Sequence, residues 1–227
     1  MKRIVQPELL DTLSPADPRA IRSRRDLRRI NWWMRNDGIM TRALEKNLSG
    51  APGQITEIGA GDGNLLLRLA QRLALRWPKV TATLLDLQEN ITAETLAAFA
   101  KLGWRAEPVV VDVFDWLPSK AEKVVIANLF LHHFNDDKLA SLLEKISRNA
   151  KLFVAVEPHR FAWPAFVGQL LWLIGCNDVT RHDAVISIRA GFAGKEISVL
   201  WPDITNWELT ERRAGLFSHV FIARRRE

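Results

Sequence analysis

The chain has 227 residues, 48% of them hydrophobic and 26% charged; that balance suits one α/β domain with a full core and excludes bulk disorder. Its one cysteine, Cys176, excludes an intrachain disulfide framework and leaves no cysteine-based metal or iron–sulfur set. The formal net charge of +6 equals the excess of eight arginines over Asp26 and Asp37 within residues 19–42, so the basicity belongs to one segment. The opening MKRIVQPELLDTL lacks an apolar stretch of the secretory kind, and a cytoplasmic protein is expected.

Residues 1–50 read as an N-terminal helical extension or lid and residues 51–227 as the main domain. A helical stretch over 19–48 places Leu27, Ile30 and Met34 on one face and Arg22, Arg25 and Arg29 on another. Residues 54–58 form a short buried strand. A helix over 62–76 follows, with Leu65, Leu66, Leu69 and Leu73 at helical spacing, and Trp77-Pro78 stops it. A second strand (80–86), a second helix (91–102, stopped by Gly103) and a third strand ending over 108–112 come next. A fourth strand spans 123–128, a helix 135–149 with Asn135 as N-cap, and a fifth strand 152–157. The runs PVVV and KVVIA are apolar throughout and are expected in central strands. This alternation predicts βαβ units and a parallel sheet covered on both faces. Residues 161–175 are apolar but too short and interrupted to span a membrane, so no transmembrane segment is expected and a buried or lid helix is. Two last strands, 207–213 and 218–224, form a hairpin through the tight connection 214–217.

The richest motif lies between the first strand and its helix: Glu57-Ile58-Gly59-Ala60-Gly61-Asp62-Gly63-Asn64. Glycines there let the backbone turn sharply and approach a ligand, at the strand ends where open α/β sheets collect ligands. A dinucleotide loop reads G-x-G-x-x-G and cradles a pyrophosphate. Here the pattern is G-x-G-x-G, with Asn64 in place of the third glycine. Acids at Glu57 and Asp62 suit a positively charged ligand better than a phosphate.

The segment ITEIGAGDGN resembles the glycine-rich motif of class I S-adenosylmethionine-dependent methyltransferases, and the resemblance extends over residues 53–160. It implies a Rossmann-like, doubly wound seven-stranded sheet, mostly parallel with a C-terminal antiparallel hairpin. It also implies S-adenosyl-L-methionine as cofactor, with Glu57, Gly59, Gly61 and Gly63 around the loop. Asp86 matches the acid that holds both ribose hydroxyls, with Leu87 beside it. Asp112 matches the residue near the adenine amine, and Val113 would flank the ring. Asn128 opens NLFLHHF, which is similar to a segment of the quinone-biosynthesis-like branch.

Methyl transfer from a sulfonium is an in-line displacement that needs proximity and orientation, and a base when the nucleophile is a hydroxyl. His132 and His133 are the candidate bases; their alternative is a purely structural role. Neighbours at a strand end point opposite ways, so at most one should face the site. His159 is a similar candidate. His182-Asp183 is read as a loop cap rather than an oriented base. No metal ligand set is expected, since Asp136 and Asp137 fit the first turn of a helix. Asn31-Trp32-Trp33-Met34 and 161–175 predict cover for an apolar or aromatic small-molecule substrate: a phenol, quinone or polyketide-like metabolite methylated on oxygen or carbon. The arginines read first as a solvated helix face, second as a dock for an acidic carrier protein or membrane surface, and last as a grip on nucleic acid. The alternative function is a nucleic-acid methyltransferase or binding protein using the basic helix, although no base-reading motif accompanies it.

Overall fold

The alternation of apolar runs and amphipathic stretches folds into a single mixed sheet in the computed structural model, which describes residues 2–14, 16–116, 124–162 and 164–226. In chain order come α1 (Leu9–Thr12), α2 (Pro18–Met34), α3 (Asn36–Asn47), β1 (Gln54–Ile58), α4 (Asn64–Leu73), β2 (Thr81–Asp86), α5 (Ala93–Lys101) and β3 (Arg105–Val110). Then follow β4 (Val124–Asn128), α6 (Asp136–Asn149), β5 (Leu152–Pro158), α7 (Pro164–Leu173), α8 (Asp178–Ala190), α9 (Glu196–Leu200), β6 (Trp207–Ala214) and β7 (Ser218–Arg225). Among the described residues the seven strands lie in the order β3-β2-β1-β4-β5-β7-β6. The first five are parallel, β7 runs antiparallel to β5, and β6 pairs antiparallel to β7. This is the doubly wound sheet with a terminal hairpin that the sequence predicts.

Both faces of the sheet are covered. On one, Leu66, Leu69 and Leu73 of α4 and Phe99 of α5 join Met40 and Leu44 of α3. On the other, Leu139, Leu142, Leu143 and Ile146 of α6 meet Phe153, Phe221 and Trp201. The Asn135 side chain accepts from the Lys138 amide, the expected N-cap of α6, with Asp136 and Asp137 in its first turn. The remaining helices layer together: α2 and α1 pack on α8, and α8 packs on α7.

Several expectations are corrected. The single helical stretch expected over 19–48 is two helices, because Arg35 adopts a left-handed conformation (φ 52°) and redirects the chain. The PVVV run belongs to an edge strand: β3 closes one end of the sheet, Val110 is half exposed, and Pro108 is tolerated there because edge strands need not donate every amide. That strand ends at Val110, two residues before Asp112. The helix after the glycine loop starts at Asn64 rather than 62, since Gly63 (φ 73°) still belongs to the turn. His182 and Asp183 lie inside α8, not in a loop. The first residue expected in the fourth strand, Lys123, lies outside the described residues, as does Trp163.

Candidate active site

At the end of β1 the chain must reverse beside β2, and three glycines permit it: Gly59, Gly61 and Gly63 have φ of 67°, 55° and 73°. Gly59 is also a close approach, since a Cβ there would lie 2.1 Å from Cδ2 of Phe130; Gly61 faces open space. The loop is tied to β2, with the Gly61 amide donating to Asp86 Oδ2 (2.8 Å) and the Ala60 amide to the Leu85 carbonyl (3.0 Å). The other Asp86 oxygen accepts from the Gln88 amide (3.0 Å). Glu57, the last buried acid of β1, is only 2% exposed, and its Oε2 has no hydrogen-bond partner. Burial first, and then the nearby Asp62 and Asp86 charges, push its pKa well above the carboxylate range, against one backbone amide from Leu66. A buried acyl oxygen without a partner is costly, and a cation beside it would satisfy it.

Across the loop, the chain leaving β4 turns through a short 3-10 segment, Leu131–His133. Glu157, fully buried at the end of β5, holds that turn. Its Oε1 accepts from the amides of Phe130 (3.1 Å) and Leu131 (3.0 Å), and its Oε2 from the amide of His132 (3.4 Å) and, at 2.9 Å, pairs with His132 Nδ1. On its far side His132 Nε2 faces Glu8 Oε1 at 3.6 Å. Burial opposes protonation of His132, but the carboxylates of Glu157 and Glu8 outweigh it and raise the pKa to about 9. His132 is therefore an imidazolium at neutral pH. His133 packs against it, ring centroids 4.2 Å apart, and is lowered by burial and then by the His132 charge. His133 is exposed where it lines the cavity, and with its pKa lowered it is neutral.

These parts face a cavity of about 420 Å³. Glu57, Gly59, Gly61 and Asn128 form its floor with the two histidines, Leu27, Ile30, Trp33 and Met34 of α2 one wall, and Val167, Leu170, Leu171 and Ile174 of α7 and its end another. Both histidines line it, contrary to the expectation that one at most would, because a 3-10 turn does not alternate its side chains as a strand does. Trp32 points outward and is not part of the wall. Of the two expectations for 161–175, a buried or a lid helix, full burial does not hold: α7 lines the cavity on one side and leaves Phe166, Trp172 and Leu173 exposed.

The other sequence-predicted positions sit at the same end of the sheet but outside the cavity lining. Asp86 and Val110 are register partners, which sets Asp112 two residues beyond β3 near Asp86. Asp112 Oδ1 accepts from the Phe114 amide (2.8 Å), Val113 is buried in the α6-side core, and Leu87 is exposed. His159 stacks on His219 away from the cavity. Asp183 does cap a helix, but a distant one: it accepts from the amides of Leu9 and Leu10 in α1.

Four functional positions were not anticipated. Asn36 links the floor together, donating to Asn128 (2.9 Å) and accepting from Ser218 (2.7 Å). Arg3 donates to the carbonyls of Phe134 (2.7 Å) and Ala190 (2.8 Å) and straps the N-terminus over the histidine turn. Glu8 arrives on that strap, and nothing in its local sequence marks it. Glu157 was legible: it is a lone acid in the apolar run LFVAVEP, and a buried acid demands partners. Glu8, His132 and His133 each bring a ligand-type atom within 4.8 Å of one another, the donor types of a divalent-cation site.

Residues 55–151 match the family model described as a methyltransferase domain. No curated protein matches the chain by sequence. Among solved structures it is similar to the plantazolicin methyltransferase BpumL in complex with SAH (15% identity, 93% of this chain and 92% of that one, TM-score 0.67). It is also similar to the mitomycin 7-O-methyltransferase MmcR (18% identity, 96% of this chain and 60% of that one, TM-score 0.64). A third likeness is to the pyocyanin biosynthetic protein PhzM (17% identity, 97% of this chain and 62% of that one, TM-score 0.61). The chain thus spans less than two thirds of the latter two, and at these identities what is shared is the fold.

Proposed function

We propose that this chain, which carries a class I S-adenosylmethionine-dependent methyltransferase domain, methylates a small apolar or aromatic acceptor held between α2, α7 and the His132–His133 turn. The observation that carries the reading is the cavity itself: an unpartnered buried carboxyl and a glycine turn on one side, two histidines on the other, and apolar walls between.

The residues present fit the methyl donor. Glu57 offers an unsatisfied oxygen to a cation, Gly59 and Gly61 let backbone approach it, and the reading assigns adenosine to Asp86, Leu87, Asp112 and Val113, which follow the neighbouring ends of β2 and β3. Gly63 keeps the turn that starts α4, and Asn128 faces the cavity from the end of β4. When bound, S-adenosylmethionine supplies a methyl group already activated on a sulfonium. The chain's own work is to hold the acceptor in line and exclude water with Leu27, Met34, Leu170 and Leu171. His133, neutral and open to the cavity, accepts the proton of an acceptor hydroxyl at a ring nitrogen. His132, already charged and held between Glu157 and Glu8, is no base; it anchors the turn that presents His133 to the cavity. A phenol, quinone or polyketide-like metabolite has the size and polarity for this cavity. The fold carries no metal-dependent step in this reading.

The test is His133→Ala assayed with labelled methyl donor and a panel of phenolic acceptors. Turnover on hydroxyl acceptors drops by about 10²–10⁴-fold while S-adenosylhomocysteine affinity is kept. A chelator leaves wild-type turnover intact. Undiminished turnover in the variant removes His133 as base, and chelator-sensitive activity makes Glu8, His132 and His133 a metal set instead.

A further inference from the structure

The outer surface of the cavity walls is unlike the rest of the protein. The helix α7 contains no charged residue; Gln169 is its one amide side chain, and it is exposed. Phe166 and Leu173 fall at i and i+7, on one side of the helix, and they are exposed, Phe166 by 64% and Leu173 by 71%. Trp172 is exposed by 63%. A cluster of large exposed apolar side chains marks a surface that meets a partner.

The arginine cluster borders this surface. Arg22 and Arg29 of α2 donate to the carbonyls of Gly175 and Ile174, the residues that follow α7. The junction sets Trp172 and Leu173 next to the basic helix, whose own exposed aromatics are Trp32 and Trp33. Arg25, Arg28 and Arg29 surround those two tryptophans in a shallow depression. Trp33 and Arg28 belong both to that outer depression and to the cavity, so the cavity opens beside the patch.

We propose that α2 and α7 dock on an anionic lipid bilayer surface, so that a membrane-resident acceptor enters the cavity directly from the lipid. Tryptophans set among arginines match the interfacial zone of a bilayer, where indole rings rest at headgroup level and guanidinium groups meet lipid phosphates. The apolar stripe enters the acyl boundary, as in helices that lie in the interface plane. No helix of the described residues is long and apolar enough to cross a membrane, so the contact is peripheral. A second copy of the chain fits the patch poorly, because face-to-face pairing would bring two arginine clusters together. An acidic carrier protein would answer the arginines but leave Phe166 and Leu173 in water. The inference rests on the methyl-transfer reading for what the cavity receives.

The experiment is flotation of the full chain with vesicles of phosphatidylcholine alone and of phosphatidylcholine mixed with phosphatidylglycerol, at low and raised salt. The chain floats with the anionic vesicles and not with the neutral ones, and raised salt weakens the binding. Phe166→Ser with Leu173→Ser reduces partitioning by about tenfold or more, and Arg25→Gln by about fivefold. S-adenosylhomocysteine binding, measured on the same preparations, stays at the wild-type value and shows that each variant is folded. Equal flotation of wild type and the double variant, or none by the wild type, overturns the docking and leaves the methyl-transfer reading standing. Concentration-dependent dimerisation lost in the double variant also overturns it, by making the patch a self-interface. Flotation without any S-adenosylhomocysteine uptake sinks the methyl-transfer reading instead.

Discussion

The charge on His132 bears on stability as well as on the proposed chemistry. Its pKa rises from 6.5 to about 9 because Glu157 lies 2.9 Å from Nδ1 and Glu8 3.6 Å from Nε2 in a nearly water-free pocket. A pKa raised by folding stabilises the protein fully below the unfolded value near 6.5, and the contribution is lost as pH climbs through about 9. The rise corresponds to about 3 kcal/mol. His132→Asn removes the titrating group but keeps an amide able to donate to Glu157. Urea unfolding of both proteins at pH 6.5 and 9.5 isolates the effect, because titrations not coupled to His132 cancel in the difference. Wild type should exceed the variant most at pH 6.5, and the gap should shrink by about 3 kcal/mol at pH 9.5. A gap that does not change with pH would refute the carboxylate–imidazolium–carboxylate arrangement.

Three substitutions probe the loop that faces it. Glu57→Gln keeps the shape and removes the charge: calorimetry should show S-adenosylmethionine affinity reduced by about tenfold or more. The ligand-free variant should melt higher at neutral pH, since a buried carboxyl with a raised pKa costs stability as pH rises above its ordinary 4.5. Gly59→Ala combines left-handed strain with displacement of Phe130 and should cost about 2–4 kcal/mol in chemical denaturation. Gly61→Ala, with open space around its Cβ, should cost only the strain, about 1–2 kcal/mol, while still weakening cofactor uptake.

Much of this architecture could be read from local signals. The strands β1, β2, β4 and β5 are buried runs whose apolar character survives any packing, and Asn135 and the terminal hairpin behave as their local chemistry dictates. What escaped was non-local. PVVV reads as central until the order of strands places it at an edge, where Pro108 is the one residue that hinted so. In the site, the glycine turn and the histidine pair were evident as motifs. The partners that set their chemistry were not: Glu8 reaches His132 across more than half the chain, and Arg3 crosses a similar distance to Phe134. Asn36 reads as an ordinary helix-start residue until α3 docks it against Asn128 and Ser218. The protonation states of His132 and His133 diverge because of such contacts, so identical neighbours in sequence acquire opposite roles.

Titration of the purified chain with S-adenosylhomocysteine, alongside Asp86→Ala, addresses the whole account at once. Saturable binding at one site per chain, a raised melting temperature and their loss in the folded Asp86→Ala protein are the predicted results. A wild-type chain that takes up no S-adenosylhomocysteine, or an Asp86→Ala protein that binds it as tightly, would contradict a donor site built from the ends of β1, β2 and β3.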